Sequence, residues 1–396
     1  MAPLLVCFAI VNKSLPGGLM TLLESLQRAT RESSGLSLRA ELRALNSRPG
    51  DAWQHVFPPT FAKDRGDDSP PHLFIGPLPG GHYQLVILDT PQSFANRLED
   101  ALVSRYDLPK IQTTVGDEVL SSFSVPHRVF DAILRDSELD GQPFRKTEVG
   151  QALIGASAKM ATAMFRYAPH VLLLGGWDSQ GEAGGMGRKW ARALSCEIVG
   201  LDALPAQAAG GRLDPLGIRS AVQVVGTAEE WQLAGPKDKG TTNPSSVGHS
   251  NVPPSIAARG ALVRNIEVRG ALSLTRLRRY SFPLDAGTNP LRDEAARTAL
   301  AALAVSGVTD LLSGGLDLRS GAELAVSSLT WSVAGFESDE ALTVTVESAR
   351  EAYHGAIEQC RALGLEFGPT LSLQASEKLT ALVKRSRALA PSDADD

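Results

Sequence analysis

The fold turns on residues 88–104, LDTPQSFANRLEDALVS, and on residues 124–152, SVPHRVFDAILRDSELDGQPFRKTEVGQA. Each stretch puts polar side chains at the mouth of a helix, where free backbone N–H groups and the positive dipole end favour an anion. In the first, Thr90 or Ser93 can cap, and Asn96 and Arg97 lie about one turn in. In the second, Ser124 precedes Pro126, and His127, Arg128, Asp131 and Arg135 follow within three predicted turns of helix. Two well-capped surface helices would carry the same pattern, so the rest of the chain has to decide.

Working outward, Leu36, Leu38, Ala40, Leu42 and Ala44 alternate with polar residues and predict a half-buried strand. Residues 46–80, rich in Pro, Gly and Asp, read as a long irregular loop. A strand from Tyr83 to Leu88 then runs straight into the first helix. Strand, long loop, strand, helix is not the tight βαβ of a dinucleotide fold. Upstream, Pro16 to Arg31 carries Leu19, Leu22, Leu23 and Leu26 at helical spacing. Leu4 to Val11 reads as a buried strand or a packed extension; it lacks the flanks of a signal peptide and is too short to span a bilayer.

Downstream, a helix is predicted from about Glu148 to Tyr167, and His170 to Gly176 reads as a short buried strand. That strand opens into residues 177–190, WDSQGEAGGMGRKW. A glycine-rich loop with basic residues can cradle phosphate. Its spacing is neither G-x-x-x-x-G-K-[ST] nor G-x-G-x-x-G, so it is best described as a loop carrying Arg188, Lys189 and Arg192. Residues 235–257 form a second long loop, of a length that is usually functional or disordered. From Arg259 to Arg279, six arginines face a single acid, Glu267, in strand-like alternation followed by a short helical or turn stretch. Like charges paired across strands repel, so phosphate contact is the simpler reading of that window. Asp293–Val305, Asp339–Ala362 and Ser376–Leu389 read as helices, Leu316–Ala325 as a strand, and PSDADD as a solvated acidic end.

The 396 residues are 43% hydrophobic and 21% charged, as in a protein with a real core. A net charge of −5 rules out a global basic field, although phosphate contact needs only local charge. Cys7, Cys196 and Cys360 are widely spaced and odd in number, which suggests a reducing cytoplasm and neither a disulfide framework nor a zinc site. The histidines lack metal-ligand spacing, so no metal and no cofactor is expected. His127 and His249 could serve as general acid or base with Asp178 or Asp214, but nothing in the spacing brings them together. Trp177 reads as a packed aromatic rather than a stacking platform.

In series, QSFANRLEDAL, PHRVFDAILRDSELDGQPFR, GGWDSQGEAGGMGRKWARALSCEIVG, RLDPLGI, GHSNVPP, LSLTRLRRYSF and LDLRSGAEL resemble the CRISPR-associated RAMP subunit of type I-U systems, also called type I-G. That subunit is the Cas-seven-type backbone protein of their Cascade complex. The resemblance runs from about Leu36 to Thr330. Residues 1–35 lie ahead of the family's usual first strand, and the tract 46–60 keeps only part of its Pro-Thr-Gly-Phe region. The resemblance implies an α+β fold: a ferredoxin-like, RNA-recognition-motif-like RAMP core with large loop insertions and added helices. On that division, 1–35 is an N-terminal extension, 36–335 the core with insertions at 46–80, 176–191 and 235–257, and 336–396 a helical segment with an acidic tail.

It also implies a non-catalytic scaffold that polymerises with copies of itself along a CRISPR guide RNA. Such a subunit holds the guide's backbone, kinks it with a thumb hairpin, leaves bases free for a target DNA strand and contacts other Cascade subunits, with no membrane involved. The RNA contacts expected are Asn96, Arg97, His127, Arg128 and Arg135 at the helix mouths, and Arg188, Lys189 and Arg192 in the glycine-rich loop. Ser246, His249 and Asn251 are expected in the long loop, a candidate thumb or subunit contact, and Arg276, Arg278 and Arg279 in the basic window. The competing reading is a metal-independent RAMP endoribonuclease that uses His127 or His249.

Overall fold

The structure, a computed structural model, describes residues 20–62, 71–178, 189–285, 287–335 and 337–388. The elements that build its centre are α1 (Leu22–Glu32), β1 (Gly35–Ala44), β2 (Tyr83–Asp89), α2 (Pro91–Arg105), β3 (Leu194–Arg212), β4 (Val252–Val263), β5 (Asn265–Ser273), α3 (Pro290–Ser313), β6 (Glu323–Val333) and α4 (Val346–Ala362). Alternation sets the core, as the sequence predicts: Leu36, Leu38, Ala40, Leu42 and Ala44 of β1 are all buried. β1 lies between β5 and β6, and β5 lies between β1 and β3. Every one of these pairings is antiparallel.

On the other face of this sheet the residues are polar. Arg39 stands opposite Arg269, and Glu267 accepts from both at 3.1 Å. Arg264 donates to Asp202 of β3 at 2.6 Å. A neighbouring strand thus adds one acid, Asp202, to the window's own Glu267. That tract forms β4, β5 and a one-turn helix, close to its predicted pattern.

The covering layer is helical. α3 is apolar all round and long enough to cross a membrane by length and composition, yet nearly all of it is buried inside the protein. A helix without a polar face belongs in a core. Gly307 lets it approach α2, since a Cβ there would sit 2.7 Å from Leu102 Cδ2. α1 and α4 pack on its other sides. Burial pushes the thiols of Cys196 and Cys360 up to about 12.

β3 is 19 residues long. Its first half pairs with β5 and β2; its second half leaves them and pairs with β4, from Leu204 opposite Leu262 to Arg212 opposite Val252. The outer residues of both strands are exposed, so the pair forms a protruding two-stranded arm that carries residues 213–251 at its tip. A second sheet of five short strands places Leu371–Ala375 between Ile111–Val115 and Ser137–Leu139.

Several predicted elements differ. The helix expected through His127 to Arg135 is shorter than three turns. The Asp131 carboxylate accepts the Ile133 N–H and starts a single turn, Ala132–Arg135. A hairpin, Ser137–Leu139 with Gln142–Pro143, follows across Asp140 and Gly141, both at positive φ. His170–Gly176 is not a strand but lies mostly in a helix, Pro169–Leu174, buried on every side. Proline at a first helical position is favourable, and a short apolar run fits either element. The helix expected over 148–167 is divided into Glu148–Gly155 and Thr162–Tyr167. Within 339–362, Glu340–Leu342 is a strand on β6, and the helix begins after the Thr345 capping box. Leu316–Ala325 is broken by a turn at Gly321, and the main strand starts at Glu323. The loop 46–80 contains two short strands, Gln54–Val56 and Phe74–Pro77, and 235–257 runs into β4. Leu4–Val11 and the acidic tail lie outside the described residues.

Candidate nucleic-acid interface

The basic window converges at one point. β5 ends at Ser273, whose hydroxyl accepts the Arg276 N–H at 3.2 Å and opens the one-turn helix Leu274–Leu277. Leu274 and Leu277 are fully buried and pin that turn to the core. Arg276 and Arg279, three residues apart and so on one helical face, both line an open cleft of about 460 Å³. Lys189 and Trp190 line it too, from a short strand paired with Gly176–Trp177. Trp190 and Tyr280, both among its lining residues, have ring centroids 5.8 Å apart. Burial pushes the Tyr280 hydroxyl up, and the positive charge of Arg276 and Arg279 opposes the rise.

Among the described residues, none that lines this cleft is an acid. Arg276 Nε is buried without a hydrogen-bond partner among the described residues, which is costly for a charged donor. Three cations without a carboxylate, on an open wall, suit the phosphates of an extended strand. Neither His127 nor His249 lines it.

The other expected contacts are spread across the fold, and several already spend their donors on protein acceptors. Arg278 points away from the cleft and donates to the carbonyls of Thr30 (2.9 Å) and Ser33 (2.6 Å), closing the C-terminal end of α1. Arg278→Ala is therefore expected to cost about 1–2 kcal/mol of stability, read as a lower urea midpoint, with RNA affinity unchanged.

Arg97 bonds Asp89 (3.2 Å) and the carbonyls of Asp317 (2.9 Å) and Leu318 (3.1 Å), tying α2 to the turn before β6. Arg128 is no surface contact: it is 8% exposed and grips Glu99 through two bonds of 2.7 and 2.9 Å. Its φ of 54° is unusual for a non-glycine residue and is held by that grip. Burial pushes the Glu99 carboxyl up while Arg128 opposes the rise. Arg135 bonds its neighbour Asp136 at 2.8 Å.

Arg192 is half-buried and donates to the Leu174 carbonyl at 3.2 Å; burial, and then the charge of Arg128, lower its pKa. Asn96 and His127 are exposed, the latter in a turn rather than a helix. Ser246, His249 and Asn251 sit at the tip of the arm. The Ser246 hydroxyl bonds Asn243, His249 packs edge-on against Trp231, and the Asn251 side chain accepts the Asp214 N–H. Asp214 accepts backbone N–H groups from Leu216 and Ser250, and Asp178 accepts from Arg145. Arg188 lies outside the described residues.

Of the fourteen expected contacts, the cleft thus gathers Lys189, Arg276 and Arg279. Sequence reading missed Trp190 and Tyr280. Only their positions beside the basic residues in GRKW and LRRY hinted at them. It also took Trp177 as packed, whereas the residue is 51% exposed.

Residues 36–205 match the model of a CRISPR-associated protein family. The family is the one described as CRISPR-associated protein GSU0053, Cas_GSU0053, and its match begins at Leu36, where the sequence resemblance also begins. On that segment the chain is similar to a CRISPR-associated family, in agreement with the resemblance read from the sequence. A solved chain from a structure titled "CRISPR RNA-guided surveillance complex, pre-nicking" is similar at 10% identity, covering 89% of this chain and 99% of that one with a TM-score of 0.35. No curated protein matches.

Proposed function

We propose that the protein is the Cas-seven-type backbone subunit of a type I-U (I-G) Cascade complex in the cytoplasm. It holds the phosphate backbone of CRISPR guide RNA, polymerises along it with copies of itself and other Cascade subunits, and presents bases to a target DNA strand without catalysing a reaction. The observation that carries this reading is the cleft that Lys189, Arg276 and Arg279 line together, with no acid among its described residues. Phosphate contacts position a strand without reading its sequence, which suits a scaffold that leaves sequence to base pairing.

The core is read as ferredoxin-like, similar to an RNA-recognition motif. Support comes from the antiparallel order β6-β1-β5-β3, with α2 between β1 and β3 in the chain and α3 between β5 and β6. The open face of this sheet is polar, without the aromatic side chains on which such motifs stack bases. Backbone holding at the sheet edge is therefore favoured over base reading on its face. The two-stranded arm is the candidate thumb. Leu213, Leu216, Leu233 and Ile256 are exposed there, as suits a contact with a neighbouring subunit.

The test is to purify the full chain, read its absorbance ratio and extract nucleic acid. Co-purified RNA with a defined length ladder, left uncut, is expected. Absence of RNA, or metal-independent cleavage of repeat RNA abolished by His127→Ala or His249→Ala, would replace the scaffold with another function.

A further inference from the structure

We infer that Trp177 is a stacking platform for one unpaired base of the RNA strand whose phosphates the cleft holds, a proposal that rests on the phosphate-binding reading above. Trp177 is 51% exposed, and it stands on a backbone fixed from both sides. Gly175, at φ 83°, gives its carbonyl to Arg128 at 3.2 Å. Gly176 is wedged against Phe130 and Val171, with no room for an unstrained Cβ. Asp178 is buried and bonded to Arg145 at 2.9 Å. His127 meets the indole edge-on, with centroids 6.3 Å apart. A rigid stem under an open aromatic face is what lowers the ordering cost of binding.

The surroundings select the ligand. Trp177 stands directly opposite Lys189 in the strand pair, and Lys189 lines the cationic cleft with Arg276 and Arg279. Phosphate-holding cations beside an exposed aromatic are the two parts of single-strand binding, and every base offers a π-face. A protein partner would find an uncompensated positive wall beside the indole.

The probes are a twelve-nucleotide oligouridylate and an abasic chain with the same phosphates, each titrated against the full chain freed of co-purified RNA in high salt. Wild type is expected to prefer the base-bearing strand by about tenfold. Trp177→Ala should abolish that preference without changing the salt slope, and Trp177→Phe should keep most of it. If Trp177→Ala binds both probes as wild type does, the stacking role is wrong while phosphate binding stands. If wild type binds neither probe, both readings fall. If Trp177→Ala instead weakens self-association of RNA-free protein and leaves the base preference intact, the indole serves a protein contact and the proposal is overturned.

Discussion

Arg128→Ala is expected to destabilise the protein by about 3–5 kcal/mol, the range for removing one partner of a buried ion pair. The reason is what stays behind. Glu99 is 2% exposed, and without the guanidinium its carboxylate has no cation of matching geometry. His170 lies 4.0 Å away but cannot substitute, because complete burial pushes its imidazole down to about 3 and keeps it neutral. The same guanidinium holds the Gly175 carbonyl, so the base of the glycine-rich loop should loosen too. Replacing both partners with Met should recover most of the loss, since an apolar pair leaves no unpaired charge. Urea unfolding with an unchanged m-value is the measurement. A single variant as stable as wild type would mean that Arg128 is not buried and belongs with the RNA contacts after all.

The second large effect concerns binding. Arg276→Glu with Arg279→Glu is expected to weaken single-stranded RNA binding more than about tenfold, uniformly across sequences, because phosphate contacts carry no base information. Stability should hardly change. Arg279 is exposed and Arg276 half-buried, and the turn's anchors, Leu274 and Leu277, are untouched. Unequal losses on different sequences would instead point to base readout at this cleft, and titration of the variant against several oligoribonucleotides separates the two.

Much of the fold was legible wherever one face of an element is apolar. β1 announces itself by strict alternation, and α3 by an alanine-rich run that only a core can accept. The helix predicted around His127 to Arg135 is shorter than expected because Asp131 caps a single turn, whereas the turn at Asp140-Gly141 was legible from its residues. The site was harder. A guanidinium looks the same in sequence whether it meets phosphate, a carboxylate or a helix end. Arg276, Arg278 and Arg279 are nearly adjacent, yet one turn of helix sends the middle one to α1 and the outer two to the cleft. Arg128 and Glu99 are 29 positions apart, and no local pattern reports their pairing. Lys189 and Arg276 line the same cleft only because the loop and the end of β5 are brought together by the fold.

Salt dependence of oligouridylate binding, compared between wild type and the triple variant Lys189→Glu, Arg276→Glu, Arg279→Glu, tests the phosphate cleft most directly. Each contact to a single strand releases about 0.7 counterion, so the log–log slope is expected to become shallower by about 2, with affinity lost throughout. An unchanged slope in a folded triple variant would contradict the assignment and send the RNA elsewhere on the protein.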